Sequence, residues 1–340
     1  MTPDLRTRYL GLDLQSPIVA SSTPLTGDPS FVKQLEEAGA GAVVLPSLFE
    51  EEILHDELEM TRALDQGTEQ FAEALGYFPA VAEYKGVGDR YLERIEKTKK
   101  AVSIPVIASL NADASGAWTR YAKLMQDAGA DALELNLYHV AADPEIGSSF
   151  REQADIDLVT EVANAITIPF AVKLSPYYAA FANFAGRVVG AGADGLVLFN
   201  RFYQPDLDLE TFDVINKVSL SHPTELRLPL RWIGMLRPQL GPDTGLAATS
   251  GIHAATDVVK ALAVGADVTM MASAILRHGA GHVGTVTRDL VDWMTEREYE
   301  SVSQLRASAT AANVPDASAF ERANYLATLH SWSTPREVGV

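Results

Sequence analysis

Short apolar runs alternate with longer amphipathic stretches along almost the whole chain. Four of the runs follow one phrase: AGAGAVVLP from Ala38, AGADALELN from Ala128, AGADGLVLF from Ala191 and VGADVTMMA from Val264. Glycine suits a helix C-terminus, so each phrase reads as a helix ending and a strand beginning. Three more runs are introduced by proline: SPIVASS from Ser16, IPVIASLN from Ile104 and IPFAVKLS from Ile168. Proline fits at a strand's first residue, where no ladder donor is lost. LAATSG from Leu246 fills the remaining gap. The pattern predicts eight strands, near 17–21, 42–46, 105–109, 132–136, 169–173, 195–199, 246–250 and 268–272.

Between them, SFVKQLEEAG, YLERIEKTKKAV, WTRYAKLMQDAG, DIDLVTEVANAI, FANFAGRVVGAG and TDVVKALAVG repeat apolar residues every three or four positions, the period of an amphipathic helix. Near-continuously apolar strands alternating with helices predict a parallel sheet, and eight units predict a (β/α)8 TIM barrel. A doubly wound open sheet is the alternative, but no G-x-G-x-x-G turn follows the first strand. Two connections, 47–90 and 201–240, are too long for simple crossovers. Both follow strand C-terminal ends, which predicts a lid or wall over the active site. The acidic run FEEEILHDELEM in the first reads as a solvated helix face. Residues from about 281 to 335 read as C-terminal helices packed on the barrel, within one domain spanning 1–340.

At 340 residues and 47% hydrophobic, the chain can bury a substantial core, as one large domain of barrel type or as two ordinary ones. Its net charge of −18 argues against a nucleic-acid or anionic-membrane partner. The absence of cysteine excludes disulfides, thiolate nucleophiles and a cysteine-ligated iron–sulfur cluster held by this chain. The N-terminal MTPDLRTRYLGLDLQSPIV has neither a spanning apolar segment nor a secretory pattern, so a cytoplasmic location is expected.

In such a barrel the chemistry sits at the C-terminal strand ends. Those positions hold Ser21 and Ser22, Ser47, Ser109 and Asn111, Asn136, Lys173, Asn200 and Arg201, Ser250 and Gly251, and Ala272 and Ser273. The last two pairs suit a phosphate held by backbone N–H groups, although small residues also simply fit strand-to-helix turns. His253 reads as a residue lining that turn. Lysine is almost never buried alone, so Lys173 is expected beside an acid, with Glu134 one strand away as partner. Beyond a structural ion pair, Lys173 could be a cation beside a cofactor that gains negative charge, or a Schiff-base nucleophile.

With these residues in register, the chain resembles a divergent branch of the dihydroorotate dehydrogenase family of FMN-binding TIM barrels. SPIVASS at the first strand, LELN at the fourth, VKLSPYY at the fifth, Asn200 at the sixth, and TSGI with GADVTMMASAIL carry the resemblance. It implies FMN across the barrel mouth, with its phosphate on Ser250, Gly251, Ala272 and Ser273 and its ring system against Ala20, Ser21 and Ser22. Ser47, Asn111, Asn136 and Asn200 are then further cofactor contacts, and Lys173 lies at the flavin edge that gains charge on reduction. Asn136 and Asn200 are the implied substrate contacts; Arg201, by its own chemistry, has a planar fork of donors that suits a substrate carboxylate if it faces the pocket.

The family's fourth strand continues Asn-x-Ser-Cys-Pro-Asn, the Cys (or Ser) being the base. This chain reads Asn136-Leu137-Tyr138-His139-Val140-Ala141, which places His139 at the base position and replaces a substrate-binding Asn by Ala141. Pro46 stands where the family has a lysine, and Arg201 where it has a serine. The expected reaction is oxidation of a small carboxylate- or carbonyl-activated CH–CH substrate, with His139 taking a proton and hydride passing to flavin. A soluble acceptor or a separate redox partner chain would reoxidise it, and a homodimer is compatible with the resemblance. The other readings are a Schiff-base aldolase or phosphosugar enzyme using Lys173, and a flavin-binding partner protein without turnover.

Overall fold

The structure is a computed structural model that describes residues 2–53, 55–56, 86–112, 118–201, 204–215, 217–313 and 329–331. Its strands are β1 (Thr7–Tyr9), β2 (Leu12–Leu14), β3 (Ile18–Ala20), β4 (Ala42–Phe49), β5 (Val106–Ala112), β6 (Ala132–Leu137), β7 (Phe170–Leu174), β8 (Gly195–Leu198), β9 (Asp206–Leu207), β10 (Val214–Ile215), β11 (Gly245–Thr249) and β12 (Val268–Met271). Strands β3 to β8, β11 and β12 close into a parallel barrel in that order, β12 pairing back onto β3. This is the predicted TIM barrel, with all eight strands where the apolar pattern placed them.

The recurring phrase has a local physical cause. Gly39, Gly129, Gly192 and Gly265 all take positive φ, 95°, 97°, 114° and 112°, the left-handed turn in which a helix ends without penalty from a Cβ. The aspartate two positions on then ties neighbouring strands together at their starts. Asp131 accepts the Val106 N–H at 2.7 Å, Asp194 that of Phe170 at 2.9 Å, and Asp267 that of Leu246 at 2.7 Å. The first copy has Gly41 instead, because a Cβ there would lie 2.0 Å from the Ser16 carbonyl oxygen.

The N-terminal end of the barrel is plugged, which the apolar pattern did not predict. Strands β1 and β2 form an antiparallel hairpin turning at Leu10 and Gly11, both at positive φ. Tyr9, Leu10 and Leu14 pack into one apolar cluster with Val19, Ala42, Val44, Ile107, Ala132, Ala171, Val197, Ala247, Val268 and Met270, to which every barrel strand contributes. Room for the plug comes from small residues. A Cβ on Gly195 would lie 2.7 Å from the Leu10 side chain, and one on Gly245 3.1 Å from the Tyr9 ring. With that end filled, open space is left at the other.

Of the first long connection, residues 57–85 lie outside the described residues, and with them most of the predicted lid or wall. The second connection is only half a wall. Strands β9 and β10 pair as a hairpin, but Arg227–Leu240 is a 14-residue helix packed against β8 and β11 as an ordinary crossover. Pro229, Gly234 and Pro238 mask its period in the sequence; Pro229 falls in the first turn, where no intrahelical donor is needed. Helices Gly281–Glu296 and Val302–Leu305 follow the barrel, the first packing on the crossover helix Ala255–Ala263. Residues 314–328 and 332–335 of the predicted C-terminal extension are outside the described residues. Among the described residues no helix is long and apolar enough to cross a membrane.

Candidate active site

The inward faces of β4 to β7 set the floor of the open end. On β6, Leu133, Leu135 and Leu137 face the helices, whereas Ala132 joins the barrel interior. Glu134 and Asn136 share that inward face by the two-residue period of a strand. Asn136 Nδ2 donates to Ser47 Oγ and Ser109 Oγ, both at 3.0 Å, and the two hydroxyls lie 2.8 Å apart. A register shift between Val44 and Ser47, spanning Pro46, aims Ser47 at this amide. The arrangement uses the amide's donors and leaves the buried Asn136 Oδ1 without a partner.

Beside it, Lys173 Nζ donates to Glu134 Oε1 at 3.2 Å, the pair predicted from sequence. The two side chains are 11% and 1% exposed, and Glu134 Oε2 has no partner. The Tyr9 hydroxyl is also buried and unpartnered, and burial, followed by the charges of Glu134 and Asp267, pushes its phenol well up.

Above this floor lies a cavity of about 460 Å³ lined by Ser22, Ser47, Phe49, Asn111, Asn136, Tyr138, Lys173, Asn200, Arg201, Gln204, Lys217, Val218 and Ser219. A second space of about 170 Å³ shares Ser22, Lys173, Asn200 and Arg201 and is also lined by Ser21, Ser221, Ser250, Gly251, Ala272 and Ser273. Together they form one chamber that runs to the ends of β11 and β12. Its described lining includes three cations and no carboxylate, in a chain of net charge −18, so the chamber suits an anion.

At the far end Ser250 and Gly251 take φ of 71° and 80°. A Cβ on Gly251 would lie 2.5 Å from the Leu226 backbone nitrogen, so the turn and the start of the Arg227–Leu240 helix fit only around glycine. Gly251→Ala is therefore expected to cost about 1–3 kcal/mol in denaturant unfolding, through strain and displacement of this turn. Ser221, which sequence reasoning did not single out, enters here from the long second connection. Its N–H donates to Ser273 Oγ at 2.9 Å, and its own Oγ accepts from Gly251 N at 3.4 Å. His253 lines the turn as expected: its N–H donates to Asp257, and Nε2 lies 3.2 Å from Ser221 Oγ. Burial, then Arg277, lowers its imidazole pKa.

Ser21, Ser22, Ser47, Asn111, Asn136, Lys173, Asn200, Arg201, Ser250, Gly251, Ala272 and Ser273 thus converge on one chamber, as the strand-end reading expected. Two of the expected residues stand elsewhere. Ala20 packs its methyl in the layer between strands and helices. His139 lines a separate cavity with Arg151, Glu152, Tyr177 and Tyr178. Its Nδ1 is 2.7 Å from Arg151 Nη2 and 3.8 Å from the buried Asp155. Tyr138 lines the chamber in its place. The signal was present in the sequence: positions 132, 134, 136 and 138 share one face if the strand's alternation continues. Arg201 reaches the chamber with its fork on Glu225, Nε to Oε2 at 3.0 Å, a partner 24 residues away.

The fold is a blind-ended (β/α)8 barrel whose open end holds a chamber lined by lysine and arginine and closed at its far end by a glycine–serine turn. The family profile described as Dihydroorotate dehydrogenase matches residues 82–294. The chain belongs to the dihydroorotate dehydrogenase family and is an oxidoreductase of the kind that acts on CH–CH donors. It is 24% identical over 326 residues to the catalytic subunit of dihydroorotate dehydrogenase B (NAD(+)) of Thermoplasma volcanium, covering 89% of this chain and 97% of that one. It is 23% identical over 330 residues to the chloroplastic dihydropyrimidine dehydrogenase (NADP(+)) of Arabidopsis thaliana, covering 89% and 76%. With dihydroorotate dehydrogenase A (fumarate) of Lactobacillus delbrueckii subsp. bulgaricus the identity is 25% over 277 residues, covering 78% and 85%.

Proposed function

We propose that the chain is an FMN-dependent oxidoreductase that oxidises the CH–CH bond of a small carboxylate- or carbonyl-activated substrate. The observation that carries this reading is the continuous chamber, with a lysine and an orphaned amide oxygen at its floor and a glycine–serine turn at its far end. The residues fit the cofactor. Asn136 Oδ1 is a buried acceptor awaiting a donor, and an ammonium has three protons, of which Glu134 takes one from Lys173. Ser250, Gly251, Ala272 and Ser273 would hold the phosphate, with Ser21 and Ser22 beside the ring system. Bound there, FMN would supply the hydride chemistry.

The chain's own residues would do the rest. Lys173 balances negative charge, and Asn136 and Asn200 orient the ligand. Arg201 exchanges Glu225 for the substrate carboxylate, a trade between two like partners at a partly exposed ion pair. A soluble small molecule or a separate redox partner chain takes the electrons onward. The Schiff-base alternative is served less well, because the Lys173 nitrogen is engaged by a carboxylate. The visible spectrum tests the reading: the purified protein is expected to show oxidised-flavin bands or to gain them on titration with FMN. A protein that stays colourless and takes up none defeats it.

A further inference from the structure

We propose that Glu225 is a resident carboxylate that competes with the substrate's own carboxylate for Arg201, and thereby sets how strongly the chamber prefers a carboxylate-bearing ring over the same ring without one. The proposal rests on the flavin reading above and names a residue that governs its substrate choice. Arg201 follows Asn200, whose N–H donates to the Leu174 carbonyl at 2.8 Å and ties the chain just beyond β8 to the end of β7. From that fixed point the arginine lines both the chamber and an outer cavity of about 480 Å³, which also shares Phe199, Asn200, Gln204 and Ser250 with the chamber. Glu225 lines the outer cavity, whereas the described lining of the chamber holds no carboxylate. The ion pair therefore draws the guanidinium towards the outer side of the boundary.

The pair is built to exchange. Its side chains are 37% and 35% exposed, against 11% and 1% for Lys173 and Glu134, so parting them strands neither charge in an apolar site. Its fork is unevenly used: Nε lies 3.0 Å from Oε2, but Nη2 is 3.5 Å from Oε1, which leaves one arm weakly engaged. Glu225 keeps a partner when the arginine leaves, because Oε1 also accepts the His222 N–H at 2.8 Å in the capping box of the short Pro223–Leu226 helix. Arg227 lines the same outer cavity, so a cation remains on that side. The carboxylate is the fixed post, and Arg201 is the part that moves.

The other two cations of the described lining are less suited to holding a ligand carboxylate. Lys173 is committed to Glu134 in a buried pair. Lys217 is exposed on the second long connection and offers a point charge rather than a planar fork. A ring without a carboxylate leaves Arg201 on Glu225 and binds without disturbing the pair. A carboxylate-bearing ring must displace Glu225 before it gains the fork. Glu225 therefore weakens binding of the anion and leaves the neutral ring unaffected.

Titration calorimetry of FMN-loaded protein with orotate and with uracil, two rings that differ by the carboxylate, tests this. Glu225→Gln keeps an amide oxygen for the His222 N–H and is expected to bind orotate about fivefold more tightly, the upper end for a partly exposed ion pair, with uracil within about twofold of wild type. Arg201→Gln should weaken orotate about 30-fold and leave uracil unchanged. In the Arg201→Gln background the gain from Glu225→Gln should vanish, whereas simple repulsion between Glu225 and the anion would persist there. The Arg201 Nε–H resonance, identified by its loss in Arg201→Gln, should shift with orotate and stay in place with uracil. An orotate affinity unchanged in Glu225→Gln overturns the proposal, as does a gain that survives in the double variant. So does a larger loss in Lys217→Ala than in Arg201→Gln, which would make the lysine the anchor, or a protein that binds neither ring. Failure to take up FMN, read separately from the visible spectrum, instead defeats the flavin reading, and the same titrations on the protein as purified then still decide the role of Glu225.

Discussion

Lys173→Met is expected to lower the unfolding free energy by about 3–5 kcal/mol, measured by denaturant titration, and to abolish turnover. The cause is the group left behind. Glu134 is 1% exposed, with Oε1 on the lysine and Oε2 on nothing, so removing the ammonium strands a buried carboxylate. Replacing both partners by apolar residues removes that stranded charge, and such swaps are often near neutral. Glu134→Leu/Lys173→Met should therefore regain most of the lost stability while remaining inactive. A double variant no more stable than the single one would show that the two groups are not coupled. A recovered activity would show that the lysine serves the fold alone.

The second large effect is at the opposite end of the barrel. Asp267→Ala should also cost about 3–5 kcal/mol, yet leave the proposed uptake of FMN by the folded protein unchanged. Asp267 accepts from Leu246 N, from Arg237 Nη2 at 2.5 Å and from Arg306. Arg237 is 7% exposed and, among the described residues, otherwise bonds the carbonyls of Gly265, Gly241 and Thr244. Burial pushes its guanidinium pKa down, against the pull of Asp267, so losing the aspartate leaves a buried cation unanswered. Asp131 occupies the same place in another copy of the phrase, but its further partner, Lys99, is about a third exposed. Asp131→Ala is expected to cost nearer 1 kcal/mol, and equal losses at the two sites would remove the argument.

That contrast also shows how far a repeated phrase can be read. The glycine that ends each helix and the apolar run that follows are local, and the backbone answers them locally, so the eight strands fall where the pattern put them. The strand ends follow, and with them most of the chamber. The Glu134–Lys173 pair was legible because a lysine in an apolar strand demands an acid and only the neighbouring strand offered one.

Partners distant in sequence decided the rest. The Thr7–Leu14 hairpin carries too short a pattern to announce itself, and it becomes a plug only because small residues on strands far along the chain leave a hole. Ser221 reaches the Ser250–Gly251 turn and bonds Ser273, 52 residues away. Residue identity at the end of β6 marked His139 as the base by position. Which way that side chain turns was settled by Arg151 and Asp155 on the following helix. Periodicity along one chain encodes which face a side chain occupies; it carries no record of the charge waiting on another element. The direction of a side chain just beyond a strand therefore belongs to the packed barrel.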